Sequence, residues 1–165
     1  MNPETKIGAM VEKAHMEKVL GYIEAGNTEG AHLALGGRRV LKETGGYFVE
    51  PTIFDKVNNE MKIAREEIFG PVLSVIAFAS EEQAISIAND SNYGLAASVY
   101  TKDLNAAHRL SRALKAGTVS VNCFAEGDMT TPFGGFKESG FFGRDKSIWA
   151  HEQYTQLKTV WMELD

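Results

Sequence analysis

Two adjacent carboxylates, Glu66 and Glu67, lead directly into Ile68-Phe69-Gly70-Pro71-Val72. This run sets two acidic acceptors beside an aromatic ring and a Gly-Pro turn, just before an apolar strand. An ionised carboxylate can accept hydroxyl hydrogen bonds on both oxygens, and such charge-assisted bonds are stronger than neutral ones. An acidic pair at a helix end is most often simply solvated. The aromatic and turn residues in the same few positions point instead to a site. Phe69 could wall that site or pack into a core, and the sequence leaves both open.

Other residues could also carry chemistry. Phe124-Ala125-Glu126-Gly127-Asp128 places two acids in one loop ahead of Pro132-Phe133. The pair could attract a cation, or Asp128 could serve the turn around Gly127. Gly135 and Gly140 have the spacing of a phosphate-binding loop, yet Phe141 stands where lysine is required and no Ser or Thr follows. Those glycines are expected to permit tight backbone turns. His151-Glu152 begins like a zinc-binding helix, but Thr155 replaces the second histidine, and His15, His32 and His108 are scattered. No metal site is expected.

The elements that must position these residues follow from periodicity. Met16, Val19, Leu20 and Ile23 recur at helical spacing, predicting a helix from Gly8 to Ala25 stopped by Gly26. Ala31 to Leu35 and Phe48 to Phe54 read as strands, the second at an edge or bent by Pro51. Pro71 to Phe78 reads as a buried strand. Ser80 and Gln83 form a capping box that opens a helix through Asp90. Ala96 to Tyr100 predicts a strand, Asp103 to Ala116 a helix stopped by Gly117, and Thr118 to Asn122 another strand. This alternation is the signature of a parallel α/β layer. A Gly-rich segment from Cys123 to Arg144 and a short helix around Ser147 to Glu152 follow. Gln156 to Glu163 is β-prone.

With 165 residues, 44% hydrophobic and 24% charged, the chain can bury a substantial core. A net charge of −5 with scattered Lys and Arg gives no reason to expect nucleic acid or an anionic membrane as partner. The single cysteine cannot form an internal disulfide. No signal-like leader and no apolar run of roughly 18 residues stands in the sequence, so a cytoplasmic location is expected.

Ala64-Arg65-Glu66-Glu67-Ile68-Phe69-Gly70-Pro71 closely resembles the corresponding segment of the NAD(P)-dependent aldehyde dehydrogenases. The resemblance continues in order through Gly46-Tyr47-Phe48-Val49-Glu50-Pro51-Thr52, Asn92-Tyr93-Gly94-Leu95-Ala96-Ala97, Val119-Ser120-Val121-Asn122-Cys123 and Thr131-Pro132-Phe133-Gly134-Gly135-Phe136-Lys137-Glu138-Ser139-Gly140. It implies a three-layer α/β fold with a mainly parallel sheet, and a chain that looks like the last third of such an enzyme. Residues 1–155 would be a partial catalytic domain and residues 156–165 an oligomerisation strand.

By the same resemblance, Glu67 hydrogen-bonds the nicotinamide ribose and Phe69 packs beside the nicotinamide. Phe124, Glu126, Asp128 and Phe133 belong to the loop lining the aldehyde pocket. The similarity is greatest to the γ-aminobutyraldehyde type, including γ-glutamyl-γ-aminobutyraldehyde and 4-guanidinobutyraldehyde dehydrogenases. That branch implies oxidation of an ω-amino or guanidino aldehyde to the carboxylic acid. Cys123 follows a strand and matches a position downstream of the family nucleophile, so no catalytic residue is expected here. A structural or pocket-lining role is expected for it instead. Asn122 is likewise not the family's oxyanion asparagine. The chain alone is expected to be inactive and to bind neither NAD nor NADP tightly. Its expected partners are a second copy through the C-terminal strand and the family's upstream segment. The alternative is a non-catalytic relic or interaction module that retains the assembly surface.

Overall fold

The computed structural model describes residues 4–124 and 127–165, which form two compact units, Met1–Ala79 and Ser80–Asp165. The first unit is built on helix α1 (Lys13–Thr28). Met16, Val19 and Ile23 are buried and Leu20 packs against them, as their spacing predicts. The helix continues past Gly26, however. That residue is buried inside α1, where an added Cβ would lie 3.0 Å from Ile63 and 3.1 Å from Phe54. Gly26 therefore lets α1 approach Phe54 closely and does not end the helix.

Strands β1 (His32–Leu35), β4 (Thr52–Asp55) and β5 (Val72–Ser74) form a sheet in the order β1-β4-β5. The β1–β4 ladder is antiparallel and the β4–β5 ladder parallel. The short strands β2 (Arg39–Val40) and β3 (Phe48–Val49) pair antiparallel beside it. The expected run from Phe48 to Phe54 is thus broken at Glu50-Pro51, and β4 takes the central position. Its Phe54 is fully buried, worth about 2 to 3 kcal/mol in removed apolar surface. The buried Thr52 hydroxyl donates to the Glu50 carbonyl and accepts from the Gly37 N–H, so it carries no unmet demand. The expectation of a buried strand over residues 71–78 is corrected. Only Val72–Ser74 is extended, and Leu73, Val75 and Phe78 are exposed because β5 is the last strand of its sheet.

The second unit opens with α3 (Glu81–Asn89), capped as expected by the Ser80 hydroxyl accepting from the Gln83 N–H at 3.2 Å. Strands β7 (Ala96–Val99) and β8 (Thr118–Val121) flank α4 (Leu104–Ala113) and pair in parallel over four residues. Helix α4 ends before Gly117. Asn89 accounts for that stop: its amide donates to the Ala113 carbonyl and its carbonyl accepts from the Lys115 N–H. Strand β6 (Tyr93–Gly94) pairs antiparallel with β9 (Phe136–Lys137), and α5 (Trp149–Glu152) closes the ordered elements. Residues 155–165 form no strand within the chain, and their side chains are exposed. A β-prone segment needs a neighbour for its N–H and C=O groups, and no described strand pairs with it.

Candidate functional site

In the first unit, the Glu66–Pro71 loop joins α2 (Lys62–Arg65) to β5. Glu66 leaves the helix in extended conformation, at φ −108° and ψ 148°. Successive side chains of an extended segment point to opposite sides. The Glu66 carboxylate accepts the Tyr22 hydroxyl at 2.8 Å while Glu66 itself stays exposed, and Ile68 is buried in the core. Glu67 and Phe69 face solvent. Among the described residues no hydrogen bond or ion pair engages the Glu67 carboxylate. Phe69 is 72% exposed and adopts φ +56°. A left-handed backbone at a bulky residue costs about 1 to 3 kcal/mol and persists only where its surroundings enforce it. Within this chain Phe69 packs into no core.

Gly70 gives the loop its close seat. A Cβ there would meet the Val19 methyl groups at 2.7 and 2.8 Å. The Phe69 carbonyl accepts from His15 Nε2 at 2.7 Å, and the Pro71 carbonyl accepts from the Thr52 N–H at 2.8 Å. A free carboxylate and an exposed ring, two residues apart on an anchored loop, suit a ligand that offers hydroxyl groups and a flat face.

In the second unit, Phe133 exchanges two backbone hydrogen bonds with Asp145, both 2.7 Å. Its ring lies 5.1 Å from the Lys146 ammonium. Phe133, Cys123, Gly127, Thr131, Pro132 and Lys146 border an open cavity of about 450 Å³ on the flank of β8. Phe124 is exposed and does not border it, and Asp128 does not either. The Asp128 carboxylate accepts from the Thr130 hydroxyl and backbone N–H. Those bonds, led by the hydroxyl, hold its carboxyl below the usual range, and Lys146 adds to the effect. Asp128 is thus a turn residue by geometry. Glu126, the other acid of that loop, lies outside the described residues.

Cys123 is exposed and borders the cavity, which matches the pocket-lining alternative. It stands two residues past the end of β8, with Asn122 between. Asn122 is fully occupied with Thr101, accepting from its N–H and donating to its carbonyl, both at 2.9 Å. A Cβ on Gly140 would strike the Gly135 carbonyl, so these glycines serve close backbone approach. Among the described residues no cluster of three His, Cys, Asp or Glu is placed to hold a metal, and no helix is long and apolar enough to cross a membrane.

Sequence reasoning missed the anchors. Tyr22 drew no attention, and His15 was weighed only as a metal ligand and Lys137 only as part of a motif, although His15 and Tyr22 stand seven residues apart and so share the α1 face that carries Val19. Lys137 donates to the Asn89 and Ser91 carbonyls at 2.8 and 2.7 Å, tying the Gly-rich segment to the end of α3. A charged side chain that caps a helix distant in sequence leaves no local signal.

Strands and helices together, with a carboxylate and an aromatic ring presented on one loop, make this an α/β protein. The family model for the aldehyde dehydrogenase family matches residues 1–160, and the chain belongs to that family. The aminoacetaldehyde dehydrogenase of Pseudomonas aeruginosa is 53% identical over 163 residues, which are 99% of this chain and 32% of that protein. The NADP/NAD-dependent aldehyde dehydrogenase PuuC of Escherichia coli K12 is 50% identical over 165 residues, 100% of this chain and 32% of that protein. A solved indole-3-acetaldehyde dehydrogenase in complex with NAD+ matches with a TM-score of 0.94 at 59% identity, covering 99% of this chain and 33% of that one. The chain spans about a third of the length of the relatives it matches.

Proposed function

We propose that this chain forms the nicotinamide-facing wall and part of the aldehyde pocket of a cytoplasmic NAD(P)-dependent aldehyde dehydrogenase. Its substrate would be an ω-amino or guanidino aldehyde, oxidised to the carboxylic acid. The observation that carries the reading is the Glu66–Pro71 loop, which buries Ile68 and turns Glu67 and Phe69 together toward solvent. The Glu67 carboxylate accepts hydroxyl hydrogen bonds from the nicotinamide ribose. The Phe69 ring gives the nicotinamide an apolar neighbour and keeps water from one side of it. Bound NAD(P) supplies the hydride acceptor. Phe133 and the cavity beside it shape the aldehyde subsite, while Phe124, Glu126 and Asp128 belong to its loop. The name of the Pseudomonas relative supports the cationic aldehyde class.

The test uses this chain joined to the remaining two thirds of the Pseudomonas aminoacetaldehyde dehydrogenase. Glu67→Gln should slow the single-turnover hydride step by roughly tenfold or more, because misplacing a reacting group by an ångström costs that order. An unchanged hydride step removes Glu67 from the site. In the same enzyme, neutralising Glu126 and Asp128 together should raise KM for an ω-amino aldehyde and spare an uncharged aldehyde of equal length. Equal losses for both would assign the loop to structure alone.

A further inference from the structure

We propose that helix α1 is the positioning element of the cofactor loop, with His15 and Tyr22 as its positioning residues. This rests on the reading of Glu67 and Phe69 given above. His15, Val19 and Tyr22 are spaced four and three residues apart, so they share one face of α1, and each holds a different residue of the loop. Tyr22 donates its hydroxyl to Glu66 at 2.8 Å, so that Glu66 and not Glu67 is the one of the two adjacent glutamates tied to α1. Val19 receives Gly70 at a distance that leaves no room for a Cβ. His15 Nε2–H donates to the Phe69 carbonyl at 2.7 Å, so the Nε2 nitrogen carries the proton.

The three contacts fall on Glu66, Phe69 and Gly70, and none uses the side chain of Glu67 or Phe69. They therefore determine the direction of those two groups without touching what the groups would bind. The His15 bond fixes the peptide plane between Phe69 and Gly70, which lies next to the left-handed φ of +56° at Phe69. Without that bond the Phe69 backbone can relax to the ordinary right-handed or extended regions, swinging the ring away. Tyr22 is itself buried, and the Lys62 ammonium lies 5.2 Å from its ring centroid, so its hydroxyl has a fixed address.

In the joined enzyme, His15→Leu should slow the single-turnover hydride step roughly tenfold while KM for NAD moves far less, since positioning and not bulk binding is lost. His15→Gln places an amide donor where Nε2 stood and should restore most of the rate. Tyr22→Phe should give a smaller loss of the same kind. A merely structural role would lower thermal stability in His15→Leu and His15→Gln alike, with no split between kcat and KM and no rescue. If Glu67→Gln slows the hydride step but His15→Leu and Tyr22→Phe do not, the positioning role is overturned and the site stands. If Glu67→Gln and Phe69→Ala are also silent, the site reading fails and this inference falls with it. Should His15→Leu fail to fold, Tyr22→Phe and His15→Gln decide by the same criteria.

Discussion

Asp128 shows how one side chain can be legible in type and still ambiguous in role. Its carboxylate could attract a cationic substrate or serve a turn, and the structure gives both of the Thr130 donors to the turn. Because the folded-state carboxyl is held low, its contribution to the turn is full above the ordinary carboxylate range. It is lost as pH falls through the depressed value. Thr130→Val removes the leading cause, the hydroxyl bond, and should move the Asp128 titration up toward the ordinary range in an NMR pH series. A titration left in place would mean that the backbone N–H or Lys146 dominates. Glu66 and Glu67 present the opposite case. Adjacent and identical in type, they are separated by the Tyr22 hydroxyl, which no reading of their own segment could foresee.

Elements were legible where local chemistry decides them. The Ser80 cap, the apolar stripe of α1 and the β7-α4-β8 alternation follow from short-range pattern, and the structure contains each. The sequence misled where a contact distant in the chain decides. Gly26 looked like a helix stop and is a packing residue. Gly117 looked like the end of α4, which Asn89 ends earlier. Helix α1 offers a paired test, because Gly21 and Gly26 sit in the same helix with opposite surroundings. Gly21 has nothing within reach of an added Cβ, so Gly21→Ala should stabilise the chain by about 0.5 to 1 kcal/mol through helix propensity. Gly26→Ala gains the same propensity but presses on the fully buried Phe54 and on Ile63. Overpacking of about 1 to 3 kcal/mol should outweigh the gain. Urea unfolding of the two variants checks the signs, and stabilisation by Gly26→Ala would show that the core can yield.

At the scale of the whole molecule, the exposed C-terminal segment is the feature least accounted for within a single chain. Trp161 is 93% exposed, and Leu157, Val160, Met162 and Leu164 are exposed beside it. A β-prone segment with apolar groups on both faces and unpaired backbone is a template for pairing with another chain. Self-association through residues 156–165 is therefore proposed, most simply as a symmetric dimer. Sedimentation at micromolar concentration should show a dimer that deletion of residues 156–165 dissolves. A monomer unaffected by that deletion would end the assembly proposal.

On the function proposed above, the chain carries a cofactor-facing loop and part of an aldehyde pocket but no nucleophile. Cys123 is the one residue that could contradict it, being exposed at the mouth of the cavity beside Phe133. A thiolate there would be chemically competent in principle. The measurement is NAD(P)H formation from γ-aminobutyraldehyde by the purified chain, with and without Cys123→Ala. Neither protein should turn over. Turnover that disappears on replacing Cys123 would make that residue the nucleophile and overturn the proposed function.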